Sequence, residues 1–194
     1  MLEQLIEWDK KLLISLNSFH TSWLDPVMIV ITKTFFWIPL YVFLIYLMFR
    51  NFKKETWFIF IGVALTIILA DQITSTLMKP FFARLRPSQD PTMAGLLHYV
   101  DGYKGGLYGF ASGHAANTFG VALFVWLTLR PIYKWIGWIF LWAALMAYTR
   151  IYLGVHFPGD ILVGATIGLG CGWIGYQFSS YLRRRYKLNQ DQKA

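Results

Sequence analysis

Arg150, His156 and Asp160 share a short stretch between two strongly apolar runs. Ionisable groups at the mouth of membrane-length segments are costly unless paired or wetted, so they are candidates for function by default. Four residues separate His156 from Asp160, close enough for the carboxylate to hold one ring nitrogen. These residues alone would equally suit an interfacial histidine paired with a structural aspartate. Two earlier clusters weigh against that reading. Lys79, Arg84 and Arg86 put three cations in eight positions at another membrane boundary, and Pro80 and Pro87 bias Lys79 and Arg86 away from helical geometry, into fixed bends. Ser112 and Gly113 then lead into an apolar run that begins with His114. A Ser-Gly step entering a helix turns backbone N–H groups toward solvent at the positive end of the helix dipole, where anions bind. Cations, N–H donors and two histidines, with no acidic cluster to hold a metal, describe a phosphate pocket with its own nucleophile and acid. Neither a metal nor another cofactor is expected.

The elements that must position these groups are membrane elements. The chain has 194 residues, 56% of them hydrophobic and 14% charged, and a mean hydropathy of +0.45. That composition suits one domain, 1–194, integral to a membrane. Lys+Arg 18 against Asp+Glu 10 gives a net charge of +8, which in such a protein reports loop topology rather than nucleic-acid binding. The single Cys171 permits no intrachain disulfide.

Taken in order, the expected fold is all-α, a bundle of about five transmembrane helices plus an N-terminal interfacial helix. Residues 1–20 carry Leu2, Leu5, Ile6, Leu12 and Leu13 at helical spacing, with charges on the other side. Spans are expected at 26–49, 57–78, 114–130, 133–150 and 158–182, with an extracytoplasmic loop over 79–113. In the last span Gly164, Gly168 and Gly172 recur every four residues, a face that lets a neighbouring backbone come close. Basic residues between Arg50 and Lys54, at Arg130 and Lys134, and from Arg183 to Lys193 all fall on one side of this arrangement. That side is expected to be cytoplasmic, which puts every candidate chemical group on the outer face.

Lys79 with Arg86-Pro87, then Ser112-Gly113-His114, then Arg150 with His156 and Asp160 resemble the three-part signature of the type-2 phosphatidic acid phosphatase family. Spacing agrees within each part, and the order is right across residues 79–160. Where the family commonly has proline before the Ser-Gly-His step this chain has Ala111, and where it has serine before the arginine this chain has Thr149; neither change removes a reactive group. The resemblance implies a bacterial inner-membrane lipid phosphatase facing the periplasm or cell exterior. In it His156 is the nucleophile that becomes a phosphohistidine, Asp160 its orienting carboxylate, and His114 the general acid. Lys79, Arg86 and Arg150, with Ser112 and the Gly113 N–H, hold the phosphate. Substrates implied are undecaprenyl pyrophosphate, phosphatidylglycerol phosphate, phosphatidic acid or the phosphates of lipid A. An intramembrane serine protease using Ser112 and His156 leaves the cations unexplained, and a non-catalytic binder of phospholipid head groups does not need both histidines. Arg84 lies outside the signature's fixed positions and is expected at most to contact a head group or the site's surroundings. Asp71 is a candidate to orient Lys79, and His20 and His98 have no evident partner.

Overall fold

A computed structural model describes residues 1–191, which are helical with loops; an isolated antiparallel bridge joins Leu85 and Tyr108, and no strand forms among the described residues. The helices are α1 (Leu2–Asn17), α2 (Leu24–Ile31), α3 (Ile38–Phe52), α4 (Thr56–Asp71), α5 (Lys79–Phe82), α6 (Gly113–Leu129), α7 (Ile139–Tyr152) and α8 (Pro158–Asp191). Two helical stretches, Thr34–Phe82 and Pro158–Gln190, are long and apolar enough to cross a bilayer, and Gly113–Leu129 is a shorter apolar helix. The first of these bends at Lys53, whose φ of 48° lies in the left-handed region, so α3 and α4 are separate rods. Large apolar side chains such as Phe35, Ile68, Leu141 and Leu162 point outward, as expected where hydrocarbon rather than water is the solvent.

An uninterrupted helix over 26–49 is not what forms. Helix α2 stops at Ile31, Lys33 adopts extended backbone, and a short 3-10 turn, Thr34–Trp37, leads into α3. The break lets Thr32, which is buried, meet the Thr149 hydroxyl at 2.9 Å and accept from Arg150 Nη1 at 3.0 Å. Between α4 and α5 the rod widens into π-helical turns over Gln72–Met78, a distortion often found at functional sites. It ends at Lys79.

Helix α8 is the centre of the bundle, packed along α6 and α4. At Gly164 and Gly168 the α6 backbone comes so close that a Cβ would overlap the carbonyl oxygens of Ser112 and Ala116. By contrast Gly170 faces open space. Overpacking an interior costs about 1–3 kcal/mol, and here backbone rather than a flexible side chain would have to yield. Gly168→Leu is therefore expected to lower the thermal unfolding midpoint by roughly 5–10 °C, given about 2–4 °C per kcal/mol for a chain of this size. Gly170→Leu should leave it within a degree or two. Similar midpoints for the two variants would show that the close approach does not hold the bundle together.

Helix α1 is amphipathic as expected, with Leu5, Ile6 and Trp8 exposed and Leu13 buried. Its last residue anchors it. The Asn17 amide donates to the carbonyls of Tyr152 (2.7 Å) and His98 (3.2 Å) and accepts from the His98 N–H (2.7 Å), joining α1 to the end of α7 and to the 83–112 loop.

Candidate active site

The site is built where α5, the N-termini of α6 and α8, and the C-terminus of α7 meet. His156 lies in the α7–α8 connection and is 2% exposed. Its backbone N–H and that of Val155 both reach the Arg150 carbonyl, at 3.3 and 3.0 Å, so the chain doubles back on the end of α7. Gly154 makes this turn with φ +66°, and a Cβ there would strike the Tyr99 ring.

The ring's partners fix its tautomer. Arg86 Nη1 lies 2.8 Å from Nε2, and because a guanidinium can only donate, Nε2 must accept. The proton therefore sits on Nδ1, which faces Asp160 Oδ2 at 3.3 Å. Burial, and then the charges of Arg86, Arg150 and Lys79, hold His156 well below the ordinary histidine range, so the ring is neutral at pH 7. A neutral imidazole with its lone pair on Nε2 and a carboxylate behind Nδ1 is ready to attack an electrophile.

Asp160 is fully buried and each of its acceptors is used. Oδ2 also takes the Phe157 N–H at 3.0 Å, Oδ1 takes Arg84 Nη1 at 2.9 Å, and its carbonyl takes the Ser112 N–H at 2.9 Å. That last bond ties the Ser112–His114 step to the His156–Asp160 stretch. The Ser112 side chain itself is buried and caps α6 through the Ala115 N–H at 3.4 Å. Both ring nitrogens of His156 have other partners, Arg86 and Asp160, so Ser112 and His156 do not form the dyad that a protease would need.

The cations gather around the ring. Arg86 also reaches the Val155 carbonyl at 3.2 Å. Arg150 is 3% exposed and donates to Thr32 (3.0 Å) and the Tyr103 hydroxyl (3.2 Å). Arg86 Nε and Arg150 Nε are buried donors with no partner among the described residues. Lys79 binds Ser75 Oγ at 3.0 Å, and Ser75 in turn binds Asp71 at 3.1 Å, so the expected link from Asp71 to Lys79 runs through a serine. Gly113 adjoins Lys79: a Cβ there would sit 3.9 Å from Nζ. His114 is exposed and within electrostatic reach of Arg150, His156, Arg86 and Lys79. The eight residues singled out by sequence thus come to one place, with the Ser112 hydroxyl accepting the Ala115 N–H of α6 there.

Several neighbours carry no motif. Arg84 does more than touch the surroundings: its guanidinium spans Asp160 Oδ1 and Asp9 Oδ2 (2.7 Å) and lies 4.0 Å over the Phe157 ring. Asp9 Oδ1 also accepts the Gly159 N–H at 2.7 Å, so α1 helps to hold the start of α8. The signal for Arg84 was its alternation with Arg86. Backbone bonds from Arg86 N to Leu107 O (3.0 Å) and Gly109 N to Arg84 O (2.9 Å) pair this strip with 107–109, fixing both arginines. His98 and His20 do have partners: their rings stack at 3.8 Å, and His98 Nε2 is 3.0 Å from both Asp25 oxygens.

Two guanidiniums, each with a buried and unused Nε donor, beside a neutral, carboxylate-backed histidine suit the transfer of a phosphoryl group. Residues 60–184 match the PAP2 superfamily, and the chain belongs to that family. It is a membrane phosphatase, a hydrolase of phosphate esters. It is 38% identical over 95% of its length to the lipid A 4'-phosphatase of Bacteroides thetaiotaomicron, 83% of which is covered. The lipid A 4'-phosphatase of Porphyromonas gingivalis is 37% identical, over 95% of this chain and 78% of that one. A transmembrane PAP2-type phosphatidylglycerolphosphate phosphatase from Bacillus subtilis shares the fold, with a TM-score of 0.67 and 24% identity over 92% of this chain and 87% of that one.

Proposed function

We propose that the protein spans the membrane five times, opens its site on the extracytoplasmic face, and removes phosphate from a lipid phosphomonoester of the lipid A class. The observation that carries this reading is the pairing of His156 Nε2 with Arg86 while Arg86 Nε and Arg150 Nε have no partner among the described residues. Similarity to two lipid A 4'-phosphatases over 95% of the chain, at 38% and 37% identity, supports the choice among phospholipid, polyprenyl and lipid A substrates.

In this mechanism an incoming phosphate takes Arg86, Arg150 and Lys79 as partners, which releases Nε2. The Nε2 lone pair forms a bond to phosphorus as the bond from phosphorus to the lipid oxygen breaks, and His114 delivers the proton that the departing oxygen needs. Asp160 offsets the charge that grows on the imidazole. Water then attacks the phosphohistidine, His114 takes the water's proton, and phosphate leaves with Nε2 restored.

Phosphate release from purified lipid A, phosphatidylglycerol phosphate, phosphatidic acid and undecaprenyl pyrophosphate tests the assignment. Lipid A is expected to be the best substrate, with the rate unchanged in EDTA and reduced by vanadate, which can adopt the geometry of the transition state. Activity that vanishes in chelator and returns with magnesium would overturn the role given to the three cations, and a stronger preference for another lipid would overturn the substrate.

A further inference from the structure

Arg150 belongs to a series of hydrogen bonds whose directions can be assigned one by one. The Met146 carbonyl can only accept, so it takes the Thr149 hydroxyl proton at 2.7 Å. Thr32, 2.9 Å from the Thr149 oxygen, then donates to it and keeps its own oxygen for Arg150 Nη1 at 3.0 Å. The same Nη1 donates to the Tyr103 hydroxyl at 3.2 Å. A guanidinium accepts nothing, so the Tyr103 oxygen is the acceptor there and its own proton must point elsewhere. Among the described residues no acceptor takes that proton. Every other hydroxyl in the series is committed, and the O–H of Tyr103 is left over.

The loop that carries Tyr103 lies across both phosphate arginines. Gly105 has φ +67°, and a Cβ there would come 3.2 Å from Arg86 Nη1, the atom that holds His156 Nε2 at 2.8 Å. Lys104 alone separates Tyr103 on Arg150 from Gly105 on Arg86. This short strip is held in place. The Tyr103 N–H donates to the Val100 carbonyl at 2.9 Å, the Ser88 hydroxyl donates to the Lys104 carbonyl, and the half-buried Tyr103 ring packs against the cluster that contains Val100, Tyr152 and Leu153. An oxyanion that takes Arg86 and Arg150 as partners therefore arrives beside a phenol with a proton to give.

We infer that Tyr103 binds the substrate phosphate: its oxygen accepts from Arg150, and its O–H donates to a non-bridging phosphoryl oxygen. The inference rests on the reading of Arg86 and Arg150 as phosphate ligands and adds to them a neutral donor from the loop, at a position that none of the three signature parts contains.

Tyr103→Phe keeps the ring and its packing. On nitrophenyl phosphate its kcat/KM is expected to fall roughly 10- to 100-fold, the range for one hydrogen bond to a charged group, with vanadate inhibition weakened by a similar factor and the unfolding midpoint little changed. Wild-type kcat/KM and vanadate inhibition in this variant overturn the inference and leave the phosphatase reading intact, since the chelator and lipid-panel experiments test that reading separately. Replacing Tyr103 by a difluorotyrosine separates contact with phosphate from support of Arg150, and it decides the matter even where Tyr103→Phe fails to fold. Fluorines beside the hydroxyl make the phenol a stronger acid, so it ionises at lower pH. A donor to phosphate should keep its kcat/KM while the phenol is protonated and lose it as the phenol ionises, because a phenolate has no proton to give and repels the phosphate. A phenol that only supports Arg150 would hold the guanidinium more strongly once ionised, so activity that survives the ionisation overturns the inference.

Discussion

His156→Ala is expected to abolish turnover and any acid-labile phosphoenzyme, on every substrate, because no other group takes the place of Nε2 beside Arg86. His114→Ala should behave differently. General acid catalysis contributes about 10²- to 10⁴-fold, and its loss matters least when the leaving group needs no proton. On a lipid phosphomonoester the His114 variant should lose activity in that range, and on a nitrophenyl phosphate it should recover most of it. His156→Ala should stay dead on both. The acid limb of kcat/KM for the wild-type protein follows from the same geometry. Protonation of His156 removes the nucleophile, and burial and its three cationic neighbours depress that protonation, so activity should persist as pH falls below the ordinary histidine range. Equal rescue of the two histidine variants by the nitrophenyl ester would reverse their roles. A fully active His156→Ala would end this mechanism.

Arg84→Ala should also lower activity steeply, although Arg84 is not assigned to the phosphate. The substitution leaves Asp160, which is fully buried, without its 2.9 Å partner and leaves Asp9 tied to the start of α8 through the Gly159 N–H alone. Breaking a buried ion pair by removing one member costs about 3–5 kcal/mol. Even if most of that appears as lost stability, a carboxylate turned by a few tenths of an ångström no longer backs Nδ1, and kcat is expected to fall on the order of 100-fold. KM should change little. Arg84→Lys should recover only part, because one ammonium cannot fork between two carboxylates as a guanidinium does. A folded Arg84→Ala protein with wild-type kcat would show that Asp160 needs no help from this side.

Lys79, Arg86, the Ser112–His114 step and the 150–160 stretch could be found in the sequence because each is a short run whose spacing is also its geometry. Arg84 could be seen but not understood: its second partner, Asp9, is 75 residues away in a helix whose pattern reads simply as amphipathic. His98 has the same history, with Asp25 73 residues off. Periodicity reports which face of a helix is apolar, and it does not report which distant polar residue a loop will bring there. The break between α2 and α3 was hidden for another reason. Apolar residues continue through it, so hydropathy sees one span, whereas the hydrogen-bonding need of buried Arg150 is met by interrupting the helix at Thr32. Ser112 shows a double use, since its hydroxyl oxygen accepts the Ala115 N–H of the cap while its own O–H stays available as a donor.

The clasp of Arg84 between Asp9 and Asp160 also sets a schedule for synthesis. Its three members come from the first helix, the middle loop and the start of the last helix. A growing chain therefore carries α1 into place long before the residues it must hold exist, and the pocket is assembled only after position 160 has left the ribosome and α8 has entered beside α6. Unfinished chains are therefore expected to be inert toward the lipids around them, and a fusion or deletion that displaces the first ten residues is expected to weaken the site while leaving every signature residue unchanged.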